Sequence, residues 1–221
     1  MSNLFNNTPF NGDISSWDVS SVENMSNLFN NTPFTGDISS WDVSSVERMS
    51  NMFNGTPFNG DLSSWDVSKV TSMNNMFQST SFNQDISSWD VSNVTNMGHM
   101  FYQSQFNGDI SGWDVSKVEE MNQMFRFNQS FNGDISNWDV SNVESMDHMF
   151  NNAISFNSDI SSWDVSSVDN MRSMFGNADS FNQDLSSWDV SSVEQMQSMF
   201  QNCDVFNQDL SNWNVSGVTS M

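Results

Sequence analysis

The residues best able to do chemistry in this chain stand in columns at fixed intervals. Asp13, Asp37, Asp61, Asp85, Asp109, Asp134, Asp159, Asp184 and Asp209 recur every 24 or 25 positions, and a second carboxylate series runs from Asp18 to Asp189 before Asn214 replaces it. If equivalent side chains stack, these carboxylates lie ~5 Å apart. Ionised neighbours at that distance repel by roughly 1–3 kcal/mol at intermediate dielectric, so something must offset the repulsion. Either each Asp accepts N–H bonds from its own turn, as Asx motifs do, or a calcium ion is shared between repeats through hard oxygen ligands. The known calcium-binding nonapeptide repeat has a Gly-rich pattern that is absent here. An amide at Asn214 can imitate a turn-capping carboxylate. The turn reading is therefore expected, and calcium on the first Asp column is the alternative; no other cofactor is expected.

The other columns divide in the same way. Asn11, Asn59, Asn83, Asn107, Asn132, Asn157, Asn182 and Asn207 form a series broken only by Thr35, and an amide ladder satisfying turn carbonyls is expected of it. Nine tryptophans, Trp17 to Trp213, would make either an exposed sugar-stacking platform or a buried ladder. Nine exposed indoles would exceed the apolar strip that soluble monomers show, so burial is expected. His99 and His148 occupy equivalent variable positions two repeats apart, too distant for one metal site, and are expected to be solvated. Sequons occur at Asn6, Asn30, Asn54 and Asn93, as chance provides in a chain rich in Asn, Ser and Thr. No His accompanies any recurrent Ser, and no nucleophile elbow, phosphate-binding loop or metalloprotease motif is present, so no catalytic residue is expected. The lone thiol, Cys203, stands where other repeats have Ala153 and Ala178 and is expected to fill a small core space.

These columns require a repeating element to position them. The first five tryptophans are 24 residues apart and the last five 25 apart. The added residue falls between two Phe positions, where FNNTPF (29–34) becomes FNNAISF (150–156); length tolerance with turn chemistry marks a surface loop. The overlaid unit reads F-N-x-D-[IL]-S-x-W-D-V-S-x-V-x-x-M-x-x-[ML]-F. In VENMSNLF, Val22, Met25, Leu28 and Phe29 form a stripe at helical spacing. Ser20 with Glu23, Ser44 with Glu47 and their equivalents resemble a capping box. The F-N-x-D-I-S half has the length and bulk of a short strand. Strand stacking at ~4.8 Å would give a rod on the order of 40–45 Å long. The expectation is an α/β repeat solenoid: nine units over residues 1–221, short parallel strands on one side and short helices on the other.

Composition narrows the partners. With 27 acidic against five basic residues, net charge −22, the surface field repels nucleic acid and anionic lipid. No apolar run approaches the length of a membrane span, and MSNLFNNTPF lacks the features of a signal peptide. Nine Trp, 19 Phe and 17 Met are far too many for a disordered acidic tail.

FNQDISSWDVSNVTNMGHMF (82–101) closely resembles the repeat of the BspA-like leucine-rich-repeat surface proteins, the 25-residue element also found in mycoplasma lipoproteins. The resemblance extends over essentially the whole chain. It implies a leucine-rich-repeat-like solenoid, exposure at a cell surface or secretion, and adhesion or protein–protein contact with a host or cell-surface ligand; it implies no catalytic residues. Multivalent, non-enzymatic recognition is thus the expected role, with variable positions 12, 16, 21, 23, 24, 26 and 27 and their equivalents facing water and carrying specificity. The alternatives are head-to-tail self-association into filaments and a calcium-stabilised glycan-binding array. Met1 and Met221 share one repeat phase with Met25, and no polar terminal cap is visible, so a segment of a longer array is expected.

Overall fold

The structure, a computed structural model, describes residues 1–221. Its nine units stack as rungs, which we number 1 to 9 by their tryptophans, Trp17 to Trp213. The expected α/β leucine-rich-repeat architecture does not form. No residue is helical and no strand pairs into a sheet. The rungs are instead joined by one row of isolated parallel bridges: Asn24, Arg48, Ser72, Asn96, Glu120, Ser145, Asn170, Gln195 and Ser220. All 91 backbone hydrogen bonds belong to turns or run between rungs.

The segment read as a helix is a pair of tandem turns. Leu28 N donates to Met25 O (3.1 Å) and Thr32 N to Phe29 O (3.1 Å), each closing a four-residue turn. The third residue of each turn is left-handed, Asn27 at φ 57° and Asn31 at φ 53°, which is the type II geometry that favours Gly or Asn there. The intervening amides point along the stack: Met25 N reaches Arg48 O, Asn27 N reaches Ser50 O, Phe29 N reaches Met52 O and Asn31 N reaches Asn54 O, all at 2.8–3.0 Å. A turn every four residues places Met25, Leu28 and Phe29 inward at spacings of three and one, which imitates an amphipathic helix. Nor is the Ser before it a helix cap. Ser20 N and Oγ both donate to Asp18 Oδ1 (3.1 and 2.7 Å).

The F-N-x-D-I-S half is extended, but no backbone ladder links it to its neighbours. A side chain takes the place of that ladder. Asn11 Oδ1 accepts from Thr35 N, Asn59 Oδ1 from Asn83 N and Asn83 Oδ1 from Asn107 N, each at 2.9 Å, and the series continues to Asn207. The amides thus satisfy N–H groups of the next rung rather than turn carbonyls. Thr35, with no amide to offer, leaves the one gap.

Inside, 62 residues form a single core of Ile/Leu, Trp, Val, Met and Phe columns. Across the loop that joins one rung to the next, the two Phe rings lie face to face, as at Phe29 and Phe34 (3.9 Å, 3°). Between rungs the Phe29 column steps by 5.6–5.9 Å and the Trp column by 6.5 Å. Both exceed the ~4.8 Å of paired strands, as offset stacking of the rings allows. From Trp41 to Trp188 the indoles are at most 4% exposed. Each Nε1 donates to the Ile or Leu carbonyl of the rung before, as Trp113 does to Ile86 O (3.2 Å). Trp17 has no such partner in this chain and is 40% exposed.

Removing an inner indole therefore opens a cavity and takes away one of the two hydrogen bonds that the carbonyl accepts, the other coming from the backbone N–H of its own rung's Trp, as Trp89 N gives to Ile86 O. Trp113→Ala is expected to destabilise the chain by about 3–5 kcal/mol, and Trp17→Ala by well under half of that. Urea denaturation of the two variants side by side checks the difference.

Candidate functional site

The first Asp column is built by one local device. Asp13, Asp37, Asp61, Asp85, Asp109, Asp134, Asp159, Asp184 and Asp209 each accept, through Oδ1, the amide of the Ser two residues on, at 2.9–3.0 Å. The second series does the same, and Asn214 Oδ1 takes the role from Ser216 N at 3.2 Å, which is the substitution a turn acceptor tolerates. In Asp37 and Asp109 the Ser amide, followed by the Ser hydroxyl, holds the carboxyl below its ordinary value of 3.8, while neighbouring aspartates push back more weakly. The repulsion between rungs is thus offset inside each rung. Every column carboxylate is exposed, and no three His, Cys, Asp or Glu side chains converge on one point.

The tryptophans are not a surface platform, since inner rungs bury them. Three sequons lie in the tandem turns, where Thr8, Thr32 and Thr56 donate their hydroxyls to Phe5 O, Phe29 O and Phe53 O (2.7, 2.8 and 2.9 Å) and Thr32 and Thr56 are buried. Cys203 sits half-buried in the column of Ala153 and Ala178; its Sγ is 3.1 Å from Ala178 O, and burial pushes its pKa up to about 11. The variable positions split in two. Positions 16, 21 and 23 and nearly all their equivalents are exposed, but 24, 26 and 27 are half-buried along the bridge row, and the equivalents of position 12, from Gly36 to Gln208, are half-buried too. The outer group was legible as surface. The inner group was not, because a helix would have turned it to solvent.

Beside that bridge row, rungs 4 to 7 gather the chain's rarer residue types. His99, Gln123 and His148 succeed one another at the left-handed position that holds Asn in rungs 1 to 3. The histidines are half-buried rather than solvated. Burial lowers both from the ordinary 6.5; Arg126 adds to this at His99, whereas Asp147 draws His148 part-way back. His148 Nδ1 lies 2.9 Å from Asp147 Oδ1 but off the line of a hydrogen bond. Asp147 is held instead by a two-point contact from Arg172, Nε to Oδ1 at 2.9 Å and Nη2 to Oδ2 at 3.3 Å. Arg126 has no carboxylate partner. Its Nη1 donates to Gln123 Oε1 (2.9 Å) and its Nε to Asn151 Oδ1 (3.2 Å). Two of the five basic residues and the only Tyr, Tyr102, thus gather here. The available signal was compositional: rare residue types falling at one repeat phase.

The repeat is shared with a known family. The family described as "Mycoplasma protein of unknown function, DUF285" matches residues 1–105, 78–164 and 127–221, which together span every rung. The chain belongs to this family. No curated protein and no solved structure matches it. Membership in DUF285 supports the repeat organisation. No helix of this DUF285 chain is long and apolar enough to cross a membrane.

Two solution tests follow from the site. Lowered histidines mean that the unfolded state takes up protons first, so stability falls as pH drops below 6.5 and levels off once the folded-state histidines protonate. The lowered aspartates contribute stability above 3.8 that is lost as pH falls through their folded values. A Tm-against-pH curve should show two descending steps, and the double variant His99→Asn/His148→Asn should lose the upper one only. If the turn bonds alone offset the carboxylate repulsion, melts in calcium and in chelator should coincide. A chelator-induced drop in Tm would instead show a cation between the rungs.

Proposed function

We propose that this chain is a non-enzymatic recognition scaffold that binds a protein ligand at a cell surface through many equivalent weak contacts. The observation behind this reading is the repetition itself. The same Asx turns, exposed Ser and Asp side chains and bridge row return on every rung, so a ligand with spaced sites would meet several copies of one contact. Linked weak contacts raise avidity without any new interaction.

The interior supports the same reading. The ladders are closed, and where histidines occur His99 meets Asn122 and His148 meets Asp147; neither histidine faces a Ser, Thr or Cys that it could activate, and the Asp147 carboxylate is engaged by Arg172. The cell-surface setting rests on the resemblance of the repeat to those of BspA-like surface proteins. Exposed carboxylates along the stack favour a ligand with basic spaced segments over nucleic acid or anionic lipid.

The test uses purified extracellular-matrix and cell-surface proteins immobilised at low and high density, with the chain flowed over them. A ligand bound by multivalent contact should show an apparent Kd that tightens by roughly 10²-fold as density rises. A Kd independent of density, with one-to-one stoichiometry, would sink the reading.

A further inference from the structure

The chain has 19 Phe, and two per rung account for all but one. The exception is Phe127. It occupies the left-handed position of the second tandem turn, at φ 57°, where other rungs place Asn7, Asn31, Gly55, Ser79 or Asn152. A bulky side chain there costs free energy that Asn or Gly does not. Nor is burial the compensation, because Phe127 is only half-buried while the column phenylalanines of the inner rungs are fully enclosed.

The ring is nevertheless held in place. The Arg126 guanidinium carbon lies 5.0 Å from its centroid, and Tyr102 meets it edge-on at 5.9 Å and 82°. Arg126 is fixed in turn by Gln123 and Asn151. Neither Arg126 nor Tyr102 lines the groove that Phe127 enters. That groove, of about 520 Å³, is lined by Ser79, Ser81, Gln103, Gln105 and Gln129 around the Phe127 ring.

The space arises where the repeat length changes. Rungs 3 and 4 close their loops with Thr80 and Ser104, whose hydroxyls accept from Phe82 N and Phe106 N. Rung 5 has one residue more, and Asn128 bridges the mismatch: its Nδ2 donates to Ser104 Oγ (3.2 Å) and Phe106 O (2.9 Å), while its Oδ1 accepts from Ser130 N and Phe131 N (both 3.1 Å). The step between loops of different length leaves the groove beside Phe127. Gln103 Oε1 is occupied by Ser79 Oγ at 3.2 Å, which leaves its NH₂ group free.

We propose that this groove is a subsite for a neutral sugar residue of a glycan. No charged side chain lines it, so it holds no carboxylate to anchor a cation, and the net charge of −22 disfavours an anion. A single ring is too little for an apolar ligand, whose sites are mostly apolar. A pyranose presents an apolar C–H face and a rim of hydroxyls. The Phe127 face and the surrounding amides and hydroxyls match both, since a side-chain amide both donates and accepts. The site is single on the array, so it stands apart from the multivalent reading.

The test pairs a printed panel of neutral and acidic oligosaccharides with saturation-transfer NMR of the bound sugar in solution. At least one neutral glycan should bind. Phe127→Asn, which installs the residue that rungs 6 to 8 carry as Asn152, Asn177 and Asn202, should keep or raise Tm while weakening binding about tenfold. Phe127→Trp should retain binding. Absence of neutral-glycan binding at millimolar concentration, binding indifferent to Phe127→Asn, or a preference for acidic glycans would each overturn the proposal and leave the scaffold reading standing.

Discussion

A backbone that forms neither helix nor sheet must still satisfy every amide it buries, and in this chain that demand falls on the next rung. In each complete inner tandem-turn segment four N–H groups run up the stack and three close turns within their own rung. The inter-rung bonds exist only if every rung repeats the same turn pair in register. This is why the repeat tolerates an inserted residue only in the loop before the second Phe, beyond the last inter-rung amide of the segment. It is also why the interior could be built from columns: once the backbone is in register, identical side chains stack on themselves.

The same constraint selects residues that would otherwise look like surface filler. Two left-handed positions per rung call for Asn, Gly or a short polar group, and most rungs comply. On the opposite half the chain has no backbone ladder, and the Asn column substitutes for it with one Oδ1 per rung. The indoles add a third tie, since their Nε1 groups bond the carbonyls of the rung before. Backbone, amide and indole therefore bind adjacent rungs at three places around the coil.

The period, the single core, the buried tryptophans and the Asx role of the aspartates were legible because each depends on residue type at fixed phase. The α/β assignment was not, and the reason is physical. Turns closing every four residues bring Met25, Leu28 and Phe29 inward with a spacing close to the 3.6 residues of a helix, so a stripe alone cannot separate the two. The discriminating residues were Asn27 and Asn31, turn formers on what would have been a helix surface, repeated as Asn51, Asn75, Asn152 and Asn177. Burial of His99 and His148 was hidden by the same error, since a left-handed residue beside the bridge row faces its neighbours rather than solvent.

A uniform array also sets the background against which individuality can be read. Where every rung is bound by the same geometric requirement, a residue that violates it is retained against local preference. Phe127 violates the left-handed preference most severely, Tyr102 and Arg126 pack behind it, and Asn128 reconciles two loop lengths beside it. These departures are contiguous rather than scattered. In a stack with nearest-neighbour energetics, local strain is borne by adjoining rungs and need not propagate, so one rung can depart from the pattern while the others keep the register. The fold thus separates two tasks, with the columns holding the rod together and the centre of the bridge row left free to differ.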